Sequence, residues 1–243
     1  MAELINAPEM YLKAVLELEE IGVGALRTQL GKRLDQAPST VSQTVTKMLR
    51  DGLFVAVPGD RQIYLSGDGR REALGIMRKH RLAECFLEQV VGLEWPFLHQ
   101  EACLLEHAMS DRVAHLMAEQ LGNPEFSPYG NRIPTREEID RGFSRSPGTR
   151  GLLNALRFTF ETSPQSVAVL RYIGEAVQLD TRLLTTMERS GLKPGATMFI
   201  KRHGPAVRLC AAGFHRTVEF DHELAASLFV EASDYEYTSG PEA

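Results

Sequence analysis

Cysteine is scarce in this 243-residue chain, with only Cys85, Cys103 and Cys210. An odd, sparse set excludes a disulfide-stapled framework and leaves reduced thiols free to bind metal. No apolar run approaches the roughly 18 residues of a membrane helix, so no membrane partner is expected. The opening MAELINAPEMYLKAVLELEE lacks the basic start and apolar stretch of a secretory signal, which leads us to expect a cytoplasmic protein. HExxH, a Gly-rich phosphate loop and a GxSxG elbow are also missing, which removes the usual marks of a metalloprotease, a nucleotide enzyme and a serine hydrolase. Nor is there a basic surplus: the formal net charge of -5 does not by itself announce a polyanionic partner.

What is there is ordinary in bulk and segregated in detail. Hydrophobic residues at 43% and charged residues at 24% specify globular structure rather than disorder, and the length suits two or three modules. Between positions 27 and 50, Arg27, Lys32, Arg33, Lys47 and Arg50 face Asp35 alone, whereas acidic residues crowd both ends of the chain. A local basic patch is thus hidden in an acidic whole.

Helical periodicity over about 8–21, from Met10 and Tyr11 to Leu18, stops near Gly22. A second helix is expected over 26–34 and a third from Pro38, which suits a first turn because its missing N–H is unneeded there. In that third helix Val41, Val45, Met48 and Leu49 share one face, and Ser39, Thr40, Gln43 and Lys47 lie on another. Strand-like runs at 53–57 and 62–65 flank a Pro58-Gly59-Asp60-Arg61 turn. Three helices and a hairpin make a winged helix-turn-helix.

Ser66 can cap a helix running toward Gly92, and a further long helix is expected over about 96–121; their apolar content suggests a dimer interface. From Gly122 to about Gly151 the composition turns to Gly, Pro, Ser and Asn and reads as a linker. Short strands at 166–172, 197–201, 207–210 and 217–220, with one helix near 180–189, predict a small β barrel. The fold class is therefore mainly α with a small β part. Expected boundaries are 1–66 for the winged helix-turn-helix, 67–135 for a helical dimerisation and metal-binding domain, 136–150 for a linker and 151–243 for an SH3-like domain.

Two of these helices carry unusual donors. His80 and Glu84 are an i, i+4 pair, and His99, Cys103, Glu106 and His107 occupy one stripe. Imidazole, carboxylate and thiolate suit a divalent first-row metal, and helical spacing brings them within chelating reach. A solvated ion pair explains His80 with Glu84 taken alone; four donors between 99 and 107 favour the metal.

The segments Glu9-Met10-Tyr11-Leu12, Pro38-Ser39-Thr40-Val41-Ser42-Gln43-Thr44-Val45, Met77-Arg78-Lys79-His80-Arg81-Leu82-Ala83-Glu84, Glu101-Ala102-Cys103 and Glu106-His107 resemble the diphtheria toxin repressor family of iron-dependent regulators, in order and spacing. The likeness covers residues 1 to about 135, includes Ser127-Pro128-Tyr129-Gly130-Asn131, and continues more weakly beyond. It implies a primary metal site at Met10, Cys103, Glu106 and His107, with the main-chain carbonyl of Cys103 as a further donor. It also implies an ancillary site at His80, Glu84 and His99, with Glu175 and Gln178 supplied by the SH3-like domain, and an anion held beside it by Arg81, Ser127 and Asn131. Arg81 paired with Glu84 is the plain alternative for that arginine. His115, Cys85 and Cys210 have no such support and are read as structural or surface positions.

The resemblance makes the expected function metal-activated repression: a homodimer binds palindromic double-stranded operator DNA, with Fe(II) as corepressor, controlling iron homeostasis genes. Co(II), Ni(II), Mn(II) or Zn(II) are expected to substitute in vitro. Sulfur donors suit Fe(II), Co(II), Ni(II) and Zn(II) better than Mn(II); a manganese-responsive relative is the alternative. On the DNA, Ser39, Thr40 and Gln43 are expected near base edges, Arg27, Ser42, Lys47 and Arg50 toward the backbone, and Thr28 among the DNA contacts. Ala37-Pro38-Ser39 departs from the family's usual Ser-Gly-Pro, which leaves the operator sequence open. A metal-dependent hydrolase lacks an evident general base apart from the ligands, and a peptide-binding SH3 adaptor lacks an aromatic groove.

Overall fold

The computed structural model describes residues 7–143, 149–162 and 165–233. The chain divides into two compact units, one drawn from Met1–Gly92, Gln100–Ser127 and Arg132–Pro147, the other from Leu93–His99, Pro128–Asn131 and Gly148–Ala243.

In the first unit, helix α1 (Ala7–Glu20) buries Tyr11, Leu12, Val15 and Leu16 almost completely. They share one core with Leu30 of α2 (Arg27–Arg33), with Val41, Val45 and Met48 of α3 (Pro38–Arg50), and with Phe54, Ile63 and Leu65 of the following hairpin. Burying each such side chain stabilises by roughly 1.5–3 kcal/mol. Pro38 opens α3 as its sequence position requires. The preceding turn places Asp35 at φ 50 and is tied to α1 by the Tyr11 hydroxyl, which donates to Gln36 Oε1 at 2.5 Å. Strands β1 (Phe54–Ala56) and β2 (Ile63–Leu65) pair antiparallel. At their turn, Asp60 accepts from the Gln62 amide at 2.9 Å and from the Tyr64 hydroxyl at 2.6 Å.

Helix α4 (Gly67–Phe86) starts at Ser66, whose hydroxyl accepts from the Gly69 amide at 2.9 Å. It leaves through a π-helical turn (Leu87–Val91) and Gly92 at φ 76. The single helix expected over 96–121 is instead two, α5 (Leu98–Ala108) and α6 (Asp111–Gln120). α5 stops at Ala108, and Ser110 caps α6 by accepting from the Val113 amide; apolar spacing that carries across the joint concealed it. Leu98 and His99, at the head of α5, group with the second unit.

The composition-based linker is structured in part. Helix α7 (Arg136–Arg141) has a reciprocal capping box: Thr135 Oγ1 accepts from the Glu138 amide, and Glu138 Oε2 accepts from the Thr135 amide at 2.8 Å. The T-x-x-E pattern was in the sequence, and the surrounding Gly and Pro outweighed it.

The second unit contains a 3₁₀ turn (Trp95–Phe97), β3 (Leu153–Asn154), α8 (Ala155–Glu161), β4 (Gln165–Ile173), α9 (Glu175–Gln178), α10 (Thr181–Arg189), β5 (Thr197–His203), β6 (Ala206–Ala211), β7 (Val218–Asp221), α11 (His222–Ala225) and β8 (Leu228–Ala232). The strands form one antiparallel sheet in the order β3-β8-β4-β5-β6-β7. β4 to β7 lie where alternation placed strands. β8 lies outside the expected set because Leu228-Phe229-Val230 is buried without alternation. Tyr129 is fully buried in this unit, its hydroxyl donating to the Trp95 carbonyl at 2.7 Å and its ring 5.0 Å from that of Trp95. The Ser-Pro-Tyr-Gly-Asn segment is therefore packed chain.

Gly130 sits at φ 77, and a Cβ there would overlap the Arg171 carbonyl. Gly130→Ala is expected to lower stability by at least about 2 kcal/mol, combining left-handed strain with a backbone clash. Thermal unfolding of the metal-free protein checks this, and an unchanged transition would contradict the packing described.

Candidate metal centre

The first unit gathers five of the nine expected metal-site side chains around one buried point. On α4, His80 and Glu84 are 3% and 0% exposed. On α5, Cys103, Glu106 and His107 repeat at one helical turn, with Glu106 4% exposed and the other two half-buried. His80 lies between carboxylates, Nε2 at 2.8 Å from Glu84 and Nδ1 at 2.6 Å from Glu106. A ring nitrogen of His80 and the Cys103 sulfur lie within 4.8 Å. His107 Nε2 is 3.4 Å from the other oxygen of Glu106. The two donor groups that the sequence separates, by helix and by expected site, thus share Glu106.

Helix α1 reaches this point through two residues that sequence reasoning assigned no role. Glu9 meets His107 Nδ1 at 2.5 Å. Lys13, 5% exposed, places its ammonium 3.2 Å from Glu106 Oε2, 3.2 Å from His80 Nδ1 and 3.5 Å from the Cys103 sulfur. Met10 is half-buried on the same helix, between them in sequence. One signal for Lys13 was available: it falls among the apolar residues of α1, where a charged side chain needs a buried partner.

The electrostatics follow from this crowding. Burial pushes Lys13 toward neutrality, but Cys103, Glu106 and Glu17 outweigh it and raise its pKa above the usual lysine value. Burial and the Lys13 charge both work against His80 protonation, while Glu84, Glu106 and Cys103 overcome them and hold it well above an ordinary histidine. Burial would lift the Glu106 carboxyl; Lys13 and His80 reverse that and bring it down to about 2. Without metal, the cluster balances its acids against protons and one ammonium.

The remaining site residues are placed as follows. Arg81, 3% exposed, is clamped by Glu20 at 2.5 and 3.0 Å and donates to the Arg132 carbonyl. Its bidentate partner is thus Glu20, which neither the anion reading nor the Glu84 alternative contained. Ser127 is buried in the first unit. In the second unit, His99 Nε2 lies 3.3 Å from Glu175, and Gln178 donates to Asn131 Oδ1 at 2.8 Å and to the Ile173 carbonyl at 2.5 Å. Asn131 also donates to that carbonyl, at 3.0 Å. Gln178 and Asn131 are therefore already engaged with backbone and with each other.

All eight residues expected at DNA are exposed: Arg27 and Thr28 at the start of α2, and Ser39, Thr40, Ser42, Gln43, Lys47 and Arg50 on the face of α3 opposite Val41, Val45 and Met48. Ser42, Gln43, Lys47 and Arg50 line a shallow open concavity.

The donors fit a divalent first-row metal: a thiol, an imidazole and a carboxylate already stand around a cation, the Lys13 ammonium. A carboxylate held down at about 2 against an ordinary 4.5 stabilises the fold at neutral pH, and that contribution fades as pH falls from about 5 toward 2. Far-UV circular dichroism of the metal-free protein should follow this loss. Glu106→Gln should be less stable at pH 7 and lose less over that acid range; a variant profile parallel to wild type would contradict the assignment.

Comparison with known proteins agrees with this architecture. Residues 3–60 match the family model described as iron dependent repressor, N-terminal DNA binding domain, and residues 66–135 that described as iron dependent repressor, metal binding and dimerisation domain. Over 233 residues the chain is 42% identical to the iron-dependent repressor IdeR of Mycobacterium tuberculosis (strain ATCC 25618 / H37Rv), covering 95% of this chain and 99% of that protein. It is 37% identical over 233 residues to the diphtheria toxin repressor of Corynebacterium diphtheriae, with coverage of 95% and 99%. The fold is also that of a solved manganese-dependent transcriptional repressor in complex with manganese, at TM-score 0.72 and 24% identity over 93% of this chain and 100% of that one. A crystal structure of T. acidophilum IdeR gives 0.71 and 23% over 93% and 97%. With both family domains in order and this identity along nearly its whole length, the chain belongs to the iron-dependent repressor family and is a metal-dependent, DNA-binding transcriptional repressor rather than an enzyme.

Proposed function

We propose that this repressor uses Fe(II) as its corepressor and controls iron homeostasis genes, the bound ion joining α1 to α5 so that the winged helix-turn-helix is held ready for operator DNA. One observation carries the reading: Cys103, Glu106 and His107 present sulfur, oxygen and nitrogen from a single helix where α1 approaches it through Glu9 and Lys13. Met10, Cys103, Glu106 and His107 form the proposed primary site, with the Cys103 carbonyl. His80 and Glu84 are proposed ancillary donors of the first unit, and His99 and Glu175, with Gln178, of the second. Arg81, Ser127 and Asn131 are proposed anion contacts, Arg81 after exchange of its Glu20 partner.

When bound, the ion supplies positive charge and simultaneous coordination to residues far apart in sequence. This chain's part is to make that coordination depend on where α1 stands. α1 shares its core with α3, so a change in how α1 sits on α5 is felt by the recognition helix. Shifting a population from 1:99 to 99:1 needs about 5.5 kcal/mol of differential binding, within reach of several metal–ligand bonds completed in one state.

Val90, Val91, Leu104, Leu105, Val113 and Leu116 are exposed apolar residues in the first unit, supporting its use in a homodimer. A dimer reads a palindrome. Gln43, with Ser39 and Thr40, is placed for base edges, and Gln can read adenine bidentately; Arg27, Thr28, Ser42, Lys47 and Arg50 suit the backbone.

Sulfur at Met10 and Cys103 favours Fe(II), Co(II), Ni(II) or Zn(II) over Mn(II). Anaerobic operator binding followed by fluorescence anisotropy should therefore respond to Fe(II) at lower free concentration than to Mn(II). The reverse order would favour a manganese regulator. Met10→Ala should lose metal activation while remaining folded; full activation would remove Met10 from the site. Raising salt should weaken the metal-activated complex steeply through lost phosphate contacts, and Lys47→Ala should lower that slope.

A further inference from the structure

The centre already holds a cation of the protein's own. Lys13 reaches it from α1 and stands within 3.5 Å of His80, Cys103 and Glu106, which come from two other helices. Its stem lies in the apolar face of α1, between Leu12 and Ala14, both buried. One turn further along α1, Glu17 is fixed by Arg33 of α2, at 2.7 and 3.1 Å. Lys13 therefore does for the metal-free chain what an ion is proposed to do: it neutralises donors that would otherwise repel one another, and it ties α1 to α5.

An ammonium and a metal ion cannot use the same lone pairs together. A lone pair on Glu106 Oε2 or Cys103 that accepts from Lys13 is closed to coordination, so an ion that takes those lone pairs must turn Lys13 out. Met10 and Lys13 are three residues apart, about 4.5 Å along the helix axis and about 60° around it. Trading the Lys13 contact for a Met10 contact therefore rolls or slides α1 rather than merely tightening it.

We propose that Lys13 is a built-in counter-cation of the metal centre, which holds Cys103 and Glu106 in the metal-free chain and must withdraw before an ion binds them, so that it sets the metal concentration at which the repressor responds. The inference rests on the metal reading above and adds its threshold. Apparent affinity falls in proportion to the fraction of molecules whose site is open. A site closed nine times in ten thus binds about ten-fold more weakly than an open one.

Co(II) serves as the probe, through the absorption of thiolate and tetrahedral d–d bands in the full-length protein under anaerobic conditions. Lys13→Leu removes the charge, keeps an apolar side chain and adds no donor. It should bind Co(II) about ten-fold or more tightly than wild type while its metal-free form melts at lower temperature; Lys13→Arg should keep the weaker affinity. Unchanged or weaker Co(II) binding by folded Lys13→Leu would overturn the proposal.

Wild-type protein provides a check independent of any variant. Acetylation of lysines read by mass spectrometry should find Lys13 protected without Co(II) and modified with it; protection in both states would overturn displacement. If wild type shows no Co(II) bands at all, the metal reading itself fails, and this inference with it.

Discussion

Everything distinctive in this molecule depends on a group of charges that ought not to be buried. His80, Glu84, Glu106 and Lys13 are each at most 5% exposed, and isolated charges in such a place would be strongly disfavoured. They persist because the carboxylates pair with the two cationic side chains at 2.6 to 3.2 Å. A cluster held together by balance is sensitive to any change of its cation. That sensitivity is what a metal-responsive regulator needs, and α1 shares its apolar core with α2, α3 and the wing.

The two parts of the first unit divide the work. The winged helix-turn-helix is a conventional core with a solvated reading face, whose exposed Gln43 and Lys47 stand opposite buried Val45 and Met48. The donor cluster lies beyond it, where α4 and α5 meet α1, and adds charge recognition to packing. Glu9 with His107 and Lys13 with Glu106 are the contacts by which α1 meets the cluster.

Much of this was legible in the sequence, for identifiable reasons. The helices of the winged unit and four strands of the second unit follow from periodicity, because one face of each is buried and the other is wet. Ser66 and Pro38 announced their helices. The Ser110 joint did not stand out, since apolar spacing continues past it, and α7 was hidden by neighbouring Gly and Pro despite its Thr135 and Glu138 pair. β8 has no alternation to display. Donor residues on α4 and α5 were visible as stripes, and the resemblance supplied Met10, which periodicity alone would leave in the core. Lys13, Glu9 and Glu20 were missed because their roles arise only when distant helices meet: a basic or acidic residue on a helix looks solvated until its partner is placed 61 to 98 positions away.

As proposed, the cluster is a cation site in which sulfur takes part. X-ray absorption at the zinc edge of the Zn(II)-loaded protein tests it most directly. A sulfur shell at about 2.3 Å, diminished in Cys103→Ser, is the predicted result; a shell of nitrogen and oxygen alone, unchanged by that substitution, would contradict it.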